Sequence, residues 1–151
     1  DLNNDDLPDI IFAGSDAHNH LYINKGNFEF KDISKSSGIQ TNKWSTGVTM
    51  VDINNDGWLD IYICNSGPSS KDSDLENQLF INNRNNTFSE QAKAYGIADN
   101  SHSTHASFFD MDNDGYDDLI VGREDGVYLY KNLGKLQFKK IRCMLIYSSC
   151  F

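Results

Sequence analysis

Lysine and arginine are scarce in this sequence, 13 residues against 22 aspartates and glutamates, and the formal net charge is −9. A phosphate backbone is held by clusters of basic side chains, so this balance argues against nucleic acid as a partner. Long apolar stretches are missing too. No run approaches the ~20 residues of a membrane span, and none is expected to cross a bilayer. Cysteine is sparse: Cys64, Cys143 and Cys150 show no CxxC spacing and build neither a zinc site nor a disulfide framework. Cys64 lies in an apolar run and is expected in the core. Whether Cys143 and Cys150 pair is left open by their irregular surroundings. There is no opening signal peptide. That says little, because Asp1 already stands inside a motif and the chain reads as cut.

What the sequence does have is Asn, Asp, Gly and Ser between short apolar runs, the texture of many strands joined by frequent turns. Its acids are not spread evenly. Asp1, Asp5, Asp6 and Asp9, then Asp52, Asp56 and Asp60, then Asp110, Asp112, Asp114, Asp117 and Asp118 make up twelve of the 22 acidic residues. So much like charge in three short segments is costly unless a cation sits among it.

The chain repeats itself. Residues 28–63 and 86–121 align without a gap at an offset of 58. Phe30 falls on Phe88, Gly38-Ile39 on Gly96-Ile97, Ser45-Thr46 on Ser103-Thr104, and the acidic segment at Asp52 on that at Asp110. The first acidic segment, at Asp1, precedes Asp52 by 51 positions, the difference arising mainly from the polar insertion 65–77. Within a repeat, strands are expected at 46–51, 60–64, 78–82 and 87–90, then at 104–109, 118–121, 127–130 and 137–141. Helix is conceivable only at 33–37 and 90–95. Four antiparallel strands per ~50 residues describe a propeller blade. The expected fold is therefore all-β, a partial β-propeller of four-stranded antiparallel blades. It holds a partial blade at 1–33 without its opening strand, full blades at 44–91 and 102–142, and an unmatched tail at 143–151.

Each acidic segment follows D-x-[ND]-x-D-[GD]-x-x-D. In the second copy Asp52, Asn54, Asp56 and Asp60 would supply oxygens at positions 1, 3, 5 and 9. Gly57 at position 6 would allow the turn that points the Trp58 carbonyl inward. The third copy offers Asp110, Asp112, Asp114, the Tyr116 carbonyl and Asp118; the first offers Asp1, Asn3, Asp5, the Leu7 carbonyl and Asp9. Hard oxygen ligands in a flexible loop suit Ca²⁺ better than Mg²⁺. An EF-hand would need Glu at position 12, where Phe12, Ile63 and Val121 stand. A nonapeptide β-helix would repeat every nine residues, and a dockerin-type module would follow each loop with a helix. Solvated turns alone would not need four oxygens at fixed offsets three times over. The first loop is the weakest member, with Asp6 in place of Gly and no incoming strand.

These loops, followed by IYI after Asp60 and by LIVG from Leu119, resemble the FG-GAP/VCBS repeat of integrin α-subunit propellers. The run Trp44-Ser-Thr-Gly47, with LFINN and TFSEQAKAYGI downstream, is similar to the branch that includes cartilage acidic proteins and ASPIC/UnbV-type bacterial proteins. The resemblance covers residues 1 to about 140. It implies a seven- or eight-bladed propeller, secreted or on the cell surface, with calcium in its loops and partners on its faces. Two features depart from it: Ser107-Phe108 stands where an FG-type pair is usual, and 139–151 matches no repeat.

Other chemistry is poorly supplied. His102 and His105 lack further zinc ligands nearby. Ser103 is matched by Ser45 in a copy without histidine, and no nucleophile elbow surrounds it. His18 and His20 fall in an expected turn and should face solvent. Trp44 and Trp58 fit blade packing better than sugar stacking. The expectation is a non-enzymatic, calcium-binding module that binds an extracellular protein or carbohydrate. The alternative is the propeller portion of a secreted enzyme, such as a polysaccharide lyase, with catalytic residues outside this chain.

Overall fold

The computed structural model describes residues 1–15, 18–68, 72–135 and 137–142. Cys143, Cys150 and the tail 143–151 lie outside the described residues. Three antiparallel sheets follow one another along the chain. The first holds β1 (Ile10–Phe12), β2 (His20–Asn24) and β3 (Phe30–Asp32). The second holds β4 (Trp44–Val51), β5 (Asp60–Ser66), β6 (Gln78–Asn82) and β7 (Phe88–Glu90). The third holds β8 (Ser103–Phe109), β9 (Asp118–Arg123), β10 (Gly126–Asn132) and β11 (Phe138–Arg142). Each strand pairs with the next in sequence, so every sheet is an up-and-down meander, as in a propeller blade. The first sheet begins at the strand that follows its acidic loop, and so has three strands where the others have four.

Two short helices complete the description, α1 (Asp72–Leu75) and α2 (Ala92–Tyr95). The first lies in the polar insertion, where the sequence suggests only loop. The segment 33–37 forms turns rather than helix. There the Asp32 carboxylate accepts the Ser34 N–H at 2.8 Å, and the Ser37 hydroxyl donates back to the Ser34 carbonyl at 3.0 Å. Side chains that bond their own backbone in this way compete with helix formation.

Sheets stack face to face, and period-2 alternation sends successive side chains of one strand to different neighbours. On β5, Ile61 and Ile63 join Leu2, Leu21, Ile23 and Ile39 in a core against the first sheet. Tyr62 and Cys64, between them on the strand, join Leu119, Val121 and Ala106 in a core against the third. Buried on both faces, β5 therefore reads as an unbroken apolar run rather than an alternating one. Cys64 sits in that core as expected, and burial pushes its thiol up to about 12.

Sheets two and three approach most closely through β4 and β8. Both strands carry a bulge at the repeated Ser-Thr pair, with the register shifting between Ser45 and Gly47 and between Ser103 and His105. The Thr46 hydroxyl contacts the Cys64 carbonyl of its own sheet at 3.2 Å and the Ser103 carbonyl of the next at 2.6 Å. A Cβ at Gly47 would stand 2.6 Å from the Thr104 carbonyl oxygen, so only glycine lets the two backbones meet there.

The segment between sheets two and three carries a buried charge. The Asp99 side chain is fully buried, and it accepts hydrogen bonds from Arg123 Nη1 at 3.1 Å, Lys140 Nζ at 2.9 Å, the Ser101 N–H at 3.0 Å and the Tyr130 hydroxyl. Burial alone would raise its pKa. The bonds from Tyr130 and Lys140, with the charges of Lys140 and Arg123, outweigh that and hold the carboxyl below its ordinary value. A depressed folded-state pKa stabilises fully above the unfolded value, and the stabilisation disappears as pH falls through the folded one. Asp99→Ala should cost about 3 kcal/mol, the scale for breaking a buried ion pair. Urea unfolding of wild type and Asp99→Asn across about pH 6 to pH 3 checks the linkage. The stability gap between the two should narrow toward the acid end.

Candidate metal centre

Loops 2 and 3 each join the first two strands of a four-stranded meander, and loop 1 leads into β1, the first strand of its sheet. In the second copy Asp52 closes the loop on itself. Its Oδ1 accepts the Asp56 N–H at 2.9 Å and its Oδ2 the Gly57 N–H at 2.7 Å. Asp56 Oδ1 accepts the Trp58 N–H at 2.9 Å. The third copy repeats these bonds from Asp110 to Asp114 and Gly115, and from Asp114 to Tyr116, at 2.9 to 3.0 Å. The first copy repeats them from Asp1 to Asp5 and Asp6, and from Asp5 to Leu7, at 2.8 to 3.2 Å. Three segments of different sequence thus hold one backbone path and one set of side-chain oxygens.

Two left-handed residues shape that path. Position 6 has φ 65° at Asp6, 83° at Gly57 and 88° at Gly115. A Cβ at either glycine would meet nothing within 4 Å, so the position demands a conformation and not a missing side chain. Asp supplies that conformation at modest cost, and loop 1 accordingly keeps the hydrogen bonds of its siblings. Position 4 is left-handed as well, with φ 56° at Asn4, 55° at Asn55 and 58° at Asn113. Asparagine is the non-glycine residue best suited to it. The signal, Asn at position 4 in all three copies, stands in the sequence but looks like ordinary turn composition.

Position 9 does something different. Asp60 is 1% exposed; its Oδ2 accepts the Ile53 N–H at 3.3 Å and its Oδ1 the Asn82 N–H, on β6, at 2.7 Å. Asp9 links Leu2 and Asn24 in the same way at 2.7 and 2.9 Å, and Asp118 links Met111 and Asn132 at 3.2 and 2.7 Å. The position-9 carboxylate is therefore a clasp between the loop and the strand beyond. Burial pushes Asp60 up to about 6, with the nearby charges of Asp56 and Asp52 adding to the effect against its two backbone hydrogen bonds.

The asparagines that face these clasps are the residues sequence reasoning missed. The Asn24, Asn82 and Asn132 amides donate to the Pro8, Leu59 and Asp117 carbonyls at 3.0 to 3.1 Å. Asn82 also reaches the Leu2 carbonyl of the first loop at 2.8 Å, tying two sheets together. Their signal is the final Asn of YIN, FIN and YKN.

Asp110, Asp112 and Asp114 bring carboxylate oxygens within 4.8 Å of one another. The full donor set of each loop is oxygen, from carboxylates, a carbonyl and, in loops 1 and 2, an amide, which suits a hard divalent cation. On this test the residues fit calcium. Asp52, Asn54, Asp56, Asp60 and the Trp58 carbonyl would hold it in loop 2, with their counterparts in the other two.

The remaining polar clusters are satisfied without a ligand. Ser34 Oγ donates to Asp32, accepts the Leu21 N–H at 3.0 Å and lies 3.5 Å from His20 Nδ1. With its proton held by the carboxylate, this trio lacks the hydroxyl-to-imidazole order of an activated nucleophile. His102 meets Ser66 at 3.1 Å and His105 meets Ser107 at 3.4 Å, and no metal cluster including either is found among the described residues. His18 is exposed, with Nδ1 2.9 Å from the Thr41 carbonyl. Among the described residues no helix is long and apolar enough to cross a membrane.

Stacked meanders of this kind, each carrying an acidic loop, define a repeat protein of the β-propeller class. The chain belongs to the FG-GAP-like repeat family, whose model matches residues 1–63 and 65–121. FG-GAP repeats are propeller blades. No curated protein matches the chain.

The clasp predicts unequal costs along the repeat. Asn82→Ala would leave the Leu2 and Leu59 carbonyls and the Arg84 N–H without their partner, and should destabilise by about 2 kcal/mol. Asn24→Ala lacks any bond between sheets to lose and should cost clearly less. Thermal unfolding of the two variants beside wild type measures the difference.

Proposed function

We propose that this chain is a calcium-binding propeller module of a secreted or cell-surface protein, non-catalytic, whose faces serve adhesion or the binding of a protein or carbohydrate ligand. The observation that carries the calcium reading is the threefold recurrence of one oxygen frame. Asp1, Asp52 and Asp110 close their loops with the same pair of backbone bonds, and Asp9, Asp60 and Asp118 clasp them to the sheet. Membership of a family whose repeats often bind Ca²⁺ points the same way. A divalent ion would neutralise carboxylates that the fold crowds together, and would keep a buried one such as Asp60 ionised. Calcium loops of extracellular modules work at roughly 10⁻⁴ to 10⁻³ M, which agrees with the proposed location.

The role of the ion is structural first. Binding to the folded state alone stabilises by about 1.4 kcal/mol per loop at tenfold excess over Kd. Chelation should therefore lower the melting temperature, and millimolar calcium should restore it. Asp56→Ala and Asp114→Ala should each remove one bound ion in titration calorimetry and leave the others. Identical melting in calcium and in chelator, with no calorimetric heat, would overturn the calcium reading.

A further inference from the structure

Loop 3 departs from its siblings at one position, and a second residue changes with it. Position 3 is asparagine in loops 1 and 2, and its amide donates to the position-5 carboxylate. Asn3 reaches Asp5 at 2.9 Å and Asn54 reaches Asp56 at 3.1 Å. In loop 3 that position is Asp112, which has no amide hydrogen to give and adds a negative charge. Lys131, on β10, takes over. Its Nζ contacts Asp112 Oδ2 and stands 3.4 Å from Asp114 Oδ2. Lys131 directly precedes the clasp asparagine Asn132, and the residues that directly precede Asn24 and Asn82 are Ile23 and Ile81, both buried and apolar. Asp112 and Lys131 thus form an exchange of Asn and Ile for an ion pair, made in the third repeat alone.

We propose that Lys131 is a tethered cation that competes with calcium for the position-3 and position-5 carboxylates of loop 3, holding the loop together when calcium is scarce and weakening its affinity when calcium is present. This rests on the calcium reading above and goes beyond it, by assigning one loop its own threshold. Lys131 is 28% exposed and Asp112 40% exposed, so the ammonium can leave for solvent when a divalent ion arrives. Loop 2 has a milder version. Arg84, 56% exposed, reaches Asp56 Oδ2 at 2.9 Å, an oxygen already bridged by Asn54, and leaves position 3 alone. Among the described residues no basic side chain pairs with the acids of loop 1.

Terbium(III), a luminescent stand-in for calcium, separates the loops, because Trp58 lies in loop 2 and Tyr116 in loop 3. Wild type, Lys131→Met and Lys131→Arg are titrated with terbium and, by calorimetry, with calcium. Melting is recorded in chelator and in calcium. In Lys131→Met the tyrosine-sensitised loop 3 signal should saturate at about three- to tenfold lower ion concentration. The tryptophan-sensitised signal of loop 2 should not move, and Lys131→Arg should stay near wild type. Lys131→Met should melt below wild type in chelator and gain more from calcium, a crossover that mere loss of packing would not give. Unchanged or weaker binding at loop 3 in Lys131→Met would overturn the competition and leave the calcium reading standing. No binding by wild type or any variant would overturn both.

Discussion

One carboxylate per repeat, at position 9 of the acidic loop, fixes how loop and sheet meet. Asp9, Asp60 and Asp118 each accept one N–H from the loop's second residue and one from the asparagine that ends the third strand of a full meander. Two backbone donors far apart in sequence are satisfied by one side chain. The other side-chain oxygens of the loop stand on that anchored base. Were an ion to bind such a loop, it would order little new chain, and the entropic cost of forming the site would be low.

The same anchor sets neighbouring sheets against each other. The second loop residue, whose N–H the clasp holds, is Leu2 or Ile53, and both are buried in the core shared with the next sheet. Its counterpart Met111, in the last loop, is 41% exposed. Burying such a side chain is worth about 1.5–3 kcal/mol. Loop geometry and the packing between sheets are therefore one feature, reinforced where Asn82 grips the Leu2 carbonyl.

Much of this was legible in the chain. The strands showed through β-branched and aromatic runs, and Cys64 through its place in one of them. The repeat showed through Ser-Thr and Gly-Ile pairs at constant offset, and the loops through aspartate spacing. What stayed hidden depends on partners distant in sequence or on residues that turns use everywhere. Asn55 and Asn113 look like turn composition until their left-handed φ is seen. Asn82 ends a strand, and nothing local says that it reaches a carbonyl 80 positions away. Lys131 reads as a solvated charge on a strand until Asp112 is found beside it. The turns at 33–37, in place of a helix, follow from bonds of the Asp32 and Ser37 side chains to the backbone.

The polar insertion at 65–77 lies at the opposite end of its sheet from the acidic loop, because one strand, β5, separates them. The segment changes the length of the repeat, and its last residue, Asn77, ties back to Tyr62 of its own sheet and to Ser103 of the next. A meander anchored at one rim in this manner lets the other rim vary between the buried ties of Asn65 and Asn77. Segments of new length and composition could be grafted there, each repeat diversifying its own surface, while the rim of acidic loops keeps the array in step.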